Sequence, residues 1–176
     1  MDWWSRRAND EPRRVRHDPP SVSEIIPELL IGEYPRVQDI AWLKRNFRVT
    51  AVHNLQDDDD LRINGLDLRE LRALYESEGI RFLRTPIPDG SADAMRAHLE
   101  HALKGLRSLV APGERVYLHC NAGLNRAPTL AIAYLRACRQ MSLDEAVAHV
   151  KKRRACGPFM TVLEDYFGPR HLKPEH

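Results

Sequence analysis

The apolar run Val116-Tyr117-Leu118 leads into His119 to Thr129, which reads HCNAGLNRAPT, and Ala127 to Arg139 then carries helical spacing. A short buried strand that breaks on a polar, glycine-containing loop and resumes as a helix forms one strand-loop-helix unit. Such a unit cannot bury itself. Its strand needs paired neighbours and its helix needs a sheet face to cover, so the rest of the chain has to complete an α/β architecture.

The flanking sequence supplies those parts. Glu24-Ile25-Ile26-Pro27-Glu28-Leu29-Leu30-Ile31-Gly32 is two short apolar runs around a turn, which predicts two edge strands. Ile40, Leu43 and Phe47 give Val37 to Phe47 helical spacing, and Val49 to Leu55 reads as a buried strand. Leu66, Leu68, Leu71 and Leu74 with Tyr75 predict a second helix, closed by Gly79. Ile80 to Thr85 is a strand and Pro86 to Gly90 a loop. Asp93 is placed to cap the helix that holds Met95, Leu99, Leu103, Leu106 and Val110. Pro112-Gly113 turns the chain into a strand from Arg115 to His119. Helices then follow at Arg126 to Arg139, Ser142 to Arg154 and Met160 to Phe167, with Ser142 and Glu145 forming a capping box. The alternation predicts a mostly parallel central sheet flanked by helices on both faces, with no internal repeat.

A chain of 176 residues fits one domain of ordinary size. Residues 1–21 carry Pro12, Pro19 and Pro20 among Arg6, Arg7, Arg13, Arg14 and Arg16, so they read as a flexible basic N-terminal arm in which Trp3 and Trp4 could still dock. Residues 22–176 form the domain. The net charge of +2 leaves no nucleic-acid footprint over the domain. No apolar run reaches the roughly 18 residues of a membrane span, and the first residues lack the apolar core of a secretory leader. Three cysteines, Cys120, Cys138 and Cys156, make no even disulfide framework. A nucleophilic thiolate works best in a reducing compartment, so the expected location is cytoplasmic. Cys138 reads as a core residue, and the charges of Lys151 to Arg154, before Cys156, are expected to face solvent or an anionic substrate.

In open α/β sheets ligands gather outside the carboxyl ends of strands, and Cys120 directly follows one. Five residues separate it from Arg126. The backbone N–H groups of Asn121, Ala122, Gly123, Leu124, Asn125 and Arg126 can curl round one point, and the first turn of the next helix adds its unpaired donors and positive dipole end. That cradle suits a tetrahedral dianion, and the same field stabilises a sulfur anion. His119 is placed to support the loop from behind through hydrogen bonds. Gly123 supplies the backbone freedom of a tight loop, Arg126 a planar fork for two oxygens at once, which lysine lacks. Pro128 falls in the first helical turn, where its missing N–H costs little. The pattern predicts cysteine-dependent hydrolysis of phosphate monoesters. It competes with a buried structural cysteine at the end of a core strand.

Departure of the leaving oxygen calls for a second group, and Asp89 in the loop Pro86 to Gly90 is the first choice. Pro-Asp-Gly is also a common turn. Asp57 to Asp60 are rivals, although four carboxylates in a row read as a solvated loop. Asp93 reads as a helix cap. This chemistry requires neither a metal nor another cofactor.

The pair His119-Cys120, Gly123, Arg126 and the upstream Asp89 resemble the dual-specificity branch of the protein tyrosine phosphatases. Within it, Ala-Gly-Leu-x-Arg-Ala-Pro followed by Ala-Ile-Ala-Tyr is similar to plant glucan phosphatases, and Asn121-Ala122-Gly123 is similar to laforin. Ile26 to Gly32, Asn54-Leu55-Gln56-Asp57 and Lys152 to Cys156 extend the likeness over about residues 22 to 167. The resemblance implies a tyrosine-phosphatase-like fold, Cys120 as nucleophile, Arg126 as phosphate clamp, and Asp89 as general acid and then base. Ala127 stands where most of the wider family has Ser or Thr, which predicts slow release of the phosphoenzyme. Ile63, Asn64, Gly90 and Gly157 stand where the glucan enzymes carry sugar-stacking rings. The expected substrate is therefore phosphorylated protein, at phosphotyrosine and phosphoserine or phosphothreonine. Phosphoglucan is the alternative and a phospholipid a more distant one. A non-catalytic phosphate-binding module and a sulfurtransferase are competing classes. His119, the Arg-Ala-Pro continuation and Asp89 argue against the latter. Oligomeric state is not encoded in any feature of the chain.

Overall fold

The structure is a computed structural model and describes residues 16–175. Five strands, β1 (Val22–Ile26), β2 (Leu29–Gly32), β3 (Ala51–Asn54), β4 (Arg81–Arg84) and β5 (Val116–His119), form one sheet in the order β1-β2-β5-β3-β4. Only β1 and β2 are antiparallel, so the mostly parallel sheet is observed. β2 is not the edge strand expected from its short apolar run. Leu29, Leu30 and Ile31 are fully buried because β2 pairs with β1 on one side and β5 on the other, leaving β1 as the edge.

Among the described residues seven helices flank the sheet: α1 (Val37–Phe47), α2 (Asp58–Ile63), α3 (Leu68–Ser77), α4 (Ala92–Leu109), α5 (Arg126–Cys138), α6 (Leu143–Arg153) and α7 (Met160–Phe167). Period-two alternation along β5 divides the core. Tyr117 packs with Leu30, Val52, Ile40, Leu43, Leu71 and Tyr75 beneath α1 and α3. Val116 and Leu118 face the opposite way, into the larger cluster under α4, α5, α6 and α7. The predicted two-faced packing is thus observed.

Two helix starts differ from expectation. Ser91, not Asp93, is the N-cap of α4; its side chain accepts from the amide of Ala94, while Asp93 lies in the first turn and pairs with Arg96 at 2.8 Å. The expected solvated loop at Asp57 to Asp60 is instead the start of α2. Asp57 caps it and Asp60 returns the bond to the Asp57 amide, a reciprocal pair that satisfies orphan donors and places negative charge at the positive end of the helix. The capping box of Ser142 and Glu145 is formed as predicted.

Residues 1–15 of the expected arm, with Trp3 and Trp4, lie outside the described residues. Its last part meets the domain: Arg16 is buried and ion-paired to Asp39 at 2.9 Å, and Glu33 accepts from the amides of His17 and Ser21. No helix among the described residues is long and apolar enough to cross a membrane.

Candidate active site

The register of the sheet sets the site. His119, the last residue of β5, lies level with Gly32 on β2 and Asn54 on β3, so Cys120 emerges at the carboxyl edge between two parallel neighbours. The amides of Leu55 and Ile87 continue the ladder past that edge, bonding His119 O and Leu55 O at 2.9 and 3.1 Å. They bring the segments carrying Asp60 and Asp89 alongside the loop.

Every carbonyl from Asn121 to Asn125 is held outward. Asn121 O accepts from the Tyr34 amide at 2.9 Å and Leu124 O from the Gly157 amide at 2.8 Å. Ala122 O and Gly123 O accept from Arg154 at 2.9 and 2.7 Å. Asn125 O accepts from Thr129, through both its amide and its hydroxyl. Among the described residues none of the amides from Asn121 to Asn125 has a protein acceptor. A loop with its carbonyls fixed outward and its N–H groups unspent, at the start of a helix, can receive an anion.

Gly123 is required at the tightest point. Its φ is +65°, and a Cβ there would lie 2.6 Å from Gly32 O, a backbone atom that cannot step aside. Behind the loop, His119 Nδ1 is 3.0 Å from Cys120 O. A carbonyl only accepts, so Nδ1 carries the hydrogen. Burial, the largest influence, together with the Arg126 charge lowers the His119 pKa to about 4, against opposing contributions from the Cys120 carbonyl and Asp60. The ring is therefore neutral near pH 7.

Arg126 is 1% exposed. Nη1 donates to Ile87 O at 2.8 Å and to Asp60 Oδ2 at 2.6 Å. Both hydrogens of that nitrogen are occupied, which leaves the edge formed by Nε and Nη2. Nε has no hydrogen-bond partner; Asp89 Oδ1 lies 3.3 Å from it as an ion pair. Burial works against the guanidinium charge, but the charges of Cys120, Asp60 and Asp89 outweigh it and raise the Arg126 pKa. Asp89, with its side chain 54% exposed, sits on the open side and accepts from the Gly90 amide. A carboxylate there can reach both the guanidinium edge and solvent.

The structure brings Cys120, Arg126, Asp89 and His119 to the one loop formed by Asn121, Ala122, Gly123, Leu124 and Asn125. It also recruits residues the sequence reading missed or placed elsewhere. Asp60 is buried against Arg126. Arg154, expected to face solvent or substrate, is buried and braces the loop from outside, while Lys151, Lys152 and Arg153 are exposed. The D-x-x-D spacing of Asp57 and Asp60 was a readable helix-start signal. Nothing in the run of four basic residues singles out Arg154. Thr129 is occupied by Asn125 O and the Phe159 amide, and Ala127 offers no hydroxyl. A cleft of about 530 Å³ beside the loop is lined by Tyr34, Ile63, Asn64, Asp89, Asn121 and Ala122 among others.

Comparison with known proteins points the same way. The profile described as dual specificity phosphatase, catalytic domain, matches residues 29–163. Dual specificity protein phosphatase 26 of Bos taurus is 32% identical over 138 residues, covering 78% of this chain and 61% of that protein. Phosphoglucan phosphatase DSP4, amyloplastic, of Castanea sativa is 28% identical over 142 residues, covering 80% of this chain and 38% of that protein. The chain thus spans less than two thirds of either relative. The crystal structure of Tk-PTP in the active form superposes with a TM-score of 0.63 at 27% identity, covering 83% of this chain and 95% of that one. The matched region begins on β2, ends in α7 and contains the loop, Arg126 and Asp89, and over that length the chain belongs to the dual-specificity phosphatase catalytic-domain family.

Proposed function

We propose that the protein hydrolyses phosphate monoesters through a thiophosphoryl intermediate, with phosphorylated protein as substrate. The observation that carries this reading is the ring of outward carbonyls and unspent amides from Asn121 to Asn125, closed by the Arg126 edge that Asp60 and Ile87 O leave unbonded and that only the half-exposed Asp89 faces. Three equatorial phosphoryl oxygens would lie against that ring, two of them on the guanidinium edge. The Cys120 sulfur attacks phosphorus in line and the bond to the leaving oxygen breaks. Asp89, displaced from Nε by the incoming anion and protonated from solvent once that ion pair is broken, gives the leaving oxygen this proton and is left as a carboxylate. The resulting carboxylate takes a proton from water, which attacks phosphorus and frees the sulfur as thiolate. Ala127 provides no hydroxyl to assist that departure, so hydrolysis of the intermediate limits turnover. A reducing compartment such as the cytoplasm suits the sulfur nucleophile.

Phosphoprotein is favoured over phosphoglucan by the surroundings of the cradle. Ile63 and Asn64 line the cleft, and Gly157 O is occupied by Asn125 Nδ2. Asn64 Nδ2 bonds Asn121 Oδ1 at 3.1 Å and is occupied in bracing the loop. None of these residues offers a ring to a sugar, and Tyr34, the aromatic in the cleft lining, is buried. Release of phosphate from phosphotyrosyl and phosphothreonyl peptides, phosphorylated amylopectin and a phospholipid should be compared side by side. Turnover of peptides alone is the expected result; turnover of amylopectin alone overturns the substrate assignment. Cys120→Ser should abolish hydrolysis of p-nitrophenyl phosphate while phosphate still binds, and residual turnover near that of the parent would refute the nucleophile.

A further inference from the structure

Asp60 does more than cap a helix. Capping α2 uses one oxygen, Oδ2, which accepts from the Asp57 amide at 3.0 Å. The same oxygen also accepts from Arg126 Nη1 at 2.6 Å, and Oδ1 accepts from Asn121 Nδ2 at 2.6 Å. One carboxylate, 5% exposed, therefore holds the first residue after the cysteine and the last residue of the loop, the two ends of the cradle. Asn121 cannot turn its amide away, because its Oδ1 is committed to Gln56 Nε2 at 2.8 Å and Asn64 Nδ2 at 3.1 Å.

The consequence falls on the guanidinium. With Nη1 held by Asp60 and Ile87 O, rotation about the Arg126 side chain is stopped and the Nε and Nη2 edge, faced only by the half-exposed Asp89, is the one turned to the loop. A planar fork binds two oxygens only when that edge is aimed at them, and a displacement of about 1 Å in a catalytic group is enough to cost about 100-fold in rate. We propose that Asp60 is a positioning residue for phosphoryl transfer, one that aims the Arg126 fork and fixes the mouth of the loop from α2. The proposal rests on the reading of the loop as a phosphate cradle.

Asp60→Asn tests it with nearly unchanged shape. Asparagine has one acceptor and one donor at its tip, so whichever way it turns, its NH2 group meets either Arg126 Nη1 or Asn121 Nδ2, both donors. The expected result is a fall in kcat for p-nitrophenyl phosphate of about 100-fold, with KM changed less than about threefold. Affinity for orthovanadate, which adopts the geometry of the transferring phosphoryl group, should fall in step with kcat, and affinity for inorganic phosphate much less. In an Arg126→Ala background Asp60→Asn should change vanadate affinity less than about threefold, because the group it aims is gone. A folded Asp60→Asn protein that keeps kcat and vanadate affinity within about threefold of the parent overturns the inference, as does a vanadate loss that persists undiminished without Arg126. Should the variant fail to fold, a crystal of the unaltered protein with vanadate decides. Vanadate oxygens on Nε and Nη2 with Nη1 still on Asp60 support the role, and Nη1 released onto the vanadate refutes it. If the unaltered protein neither turns over p-nitrophenyl phosphate nor binds vanadate, the phosphatase reading itself is at fault and this inference falls with it. Failure of Asp60→Asn alone leaves that reading standing.

Discussion

Arg126 and Asp89 divide the electrostatic work of the site, and their surroundings say how each responds to replacement. Nη1 of Arg126 is spent on Asp60 and Ile87 O, so in the proposed mechanism the remaining edge makes the oxyanion contacts. A lysine could satisfy one acceptor but not hold two oxygens while anchored at Asp60. Arg126→Lys is therefore expected to lower kcat/KM by about 100 to 1,000-fold, close to the loss in Arg126→Ala. Steady-state kinetics with p-nitrophenyl phosphate measure the difference, and a loss under tenfold for lysine would show that the fork is dispensable. Asp89 is half exposed beside the Arg126 edge, a position suited to the proton donor of the proposed mechanism. Asp89→Ala should slow phenyl or alkyl phosphates by about 100 to 10,000-fold and substrates with acidic leaving groups far less, since only the former need the proton. Equal losses across a leaving-group series would remove Asp89 from that role.

At the scale of elements, the β5–α5 connection carries the site, and four neighbours keep it open. β2 lends Gly32, the segment after β2 lends the Tyr34 amide, and the stretch just after α6 lends Arg154 and Gly157. α2 lends Asp60. Gly32 only packs close against Gly123; the other three each take a carbonyl or a side chain from the loop, and none of the four takes an inward amide. Gly123 is where this packing has no slack. Gly123→Ala would place a side chain at φ +65° and 2.6 Å from Gly32 O. Strain of that kind costs about 1–3 kcal/mol, and relief requires moving β2 or the loop. The expected outcome is a lower melting temperature together with weakened phosphate affinity by calorimetry. A variant with unchanged affinity would mean that the loop tolerates a different path.

At the scale of the whole molecule, two buried histidines tie stability to pH. Burial, with the charges of His119 and His101 adding to it, lowers the His53 pKa to about 3, and burial first of all lowers that of His119 to about 4. His53 Nε2 shares a hydrogen bond with Thr85 Oγ1, and its Nδ1 has no partner. Both rings are neutral in the folded protein where an unfolded histidine, with a pKa near 6.5, already binds a proton. As pH falls below about 6.5 the unfolded state takes up protons that the folded state refuses. Stability therefore drops with acidification until the folded pKa values are reached, each ring contributing up to about 1.4 kcal/mol per pH unit. Urea unfolding from pH 8 to pH 4.5 should show little contribution from these rings above pH 7 and a steep fall below 6.5. A midpoint unchanged down to pH 5 would contradict neutral burial of the pair.

Much of this molecule was written locally. The strand, loop and helix from Val116 to Arg139 could be read because the elements follow from apolar periodicity, and the candidate site residues Cys120, Gly123 and Arg126 share one short stretch that the structure folds into a single loop. α1, α6 and α7 were legible for the same reason. Asp60 and Arg154 were not. A carboxylate among four looks solvated until a buried guanidinium 66 residues away turns up beside it, and one arginine in a basic run looks like its neighbours until carbonyls 31 and 32 residues away point at it. The edge or interior position of β2 was hidden too, because pairing partners are chosen by topology and not by the strand's own residues. The sequence by itself determined which atoms can react. The tertiary structure alone decided which way those atoms point, since hydrogen-bond direction and charge pairing across distant segments depend on distances that no local pattern encodes.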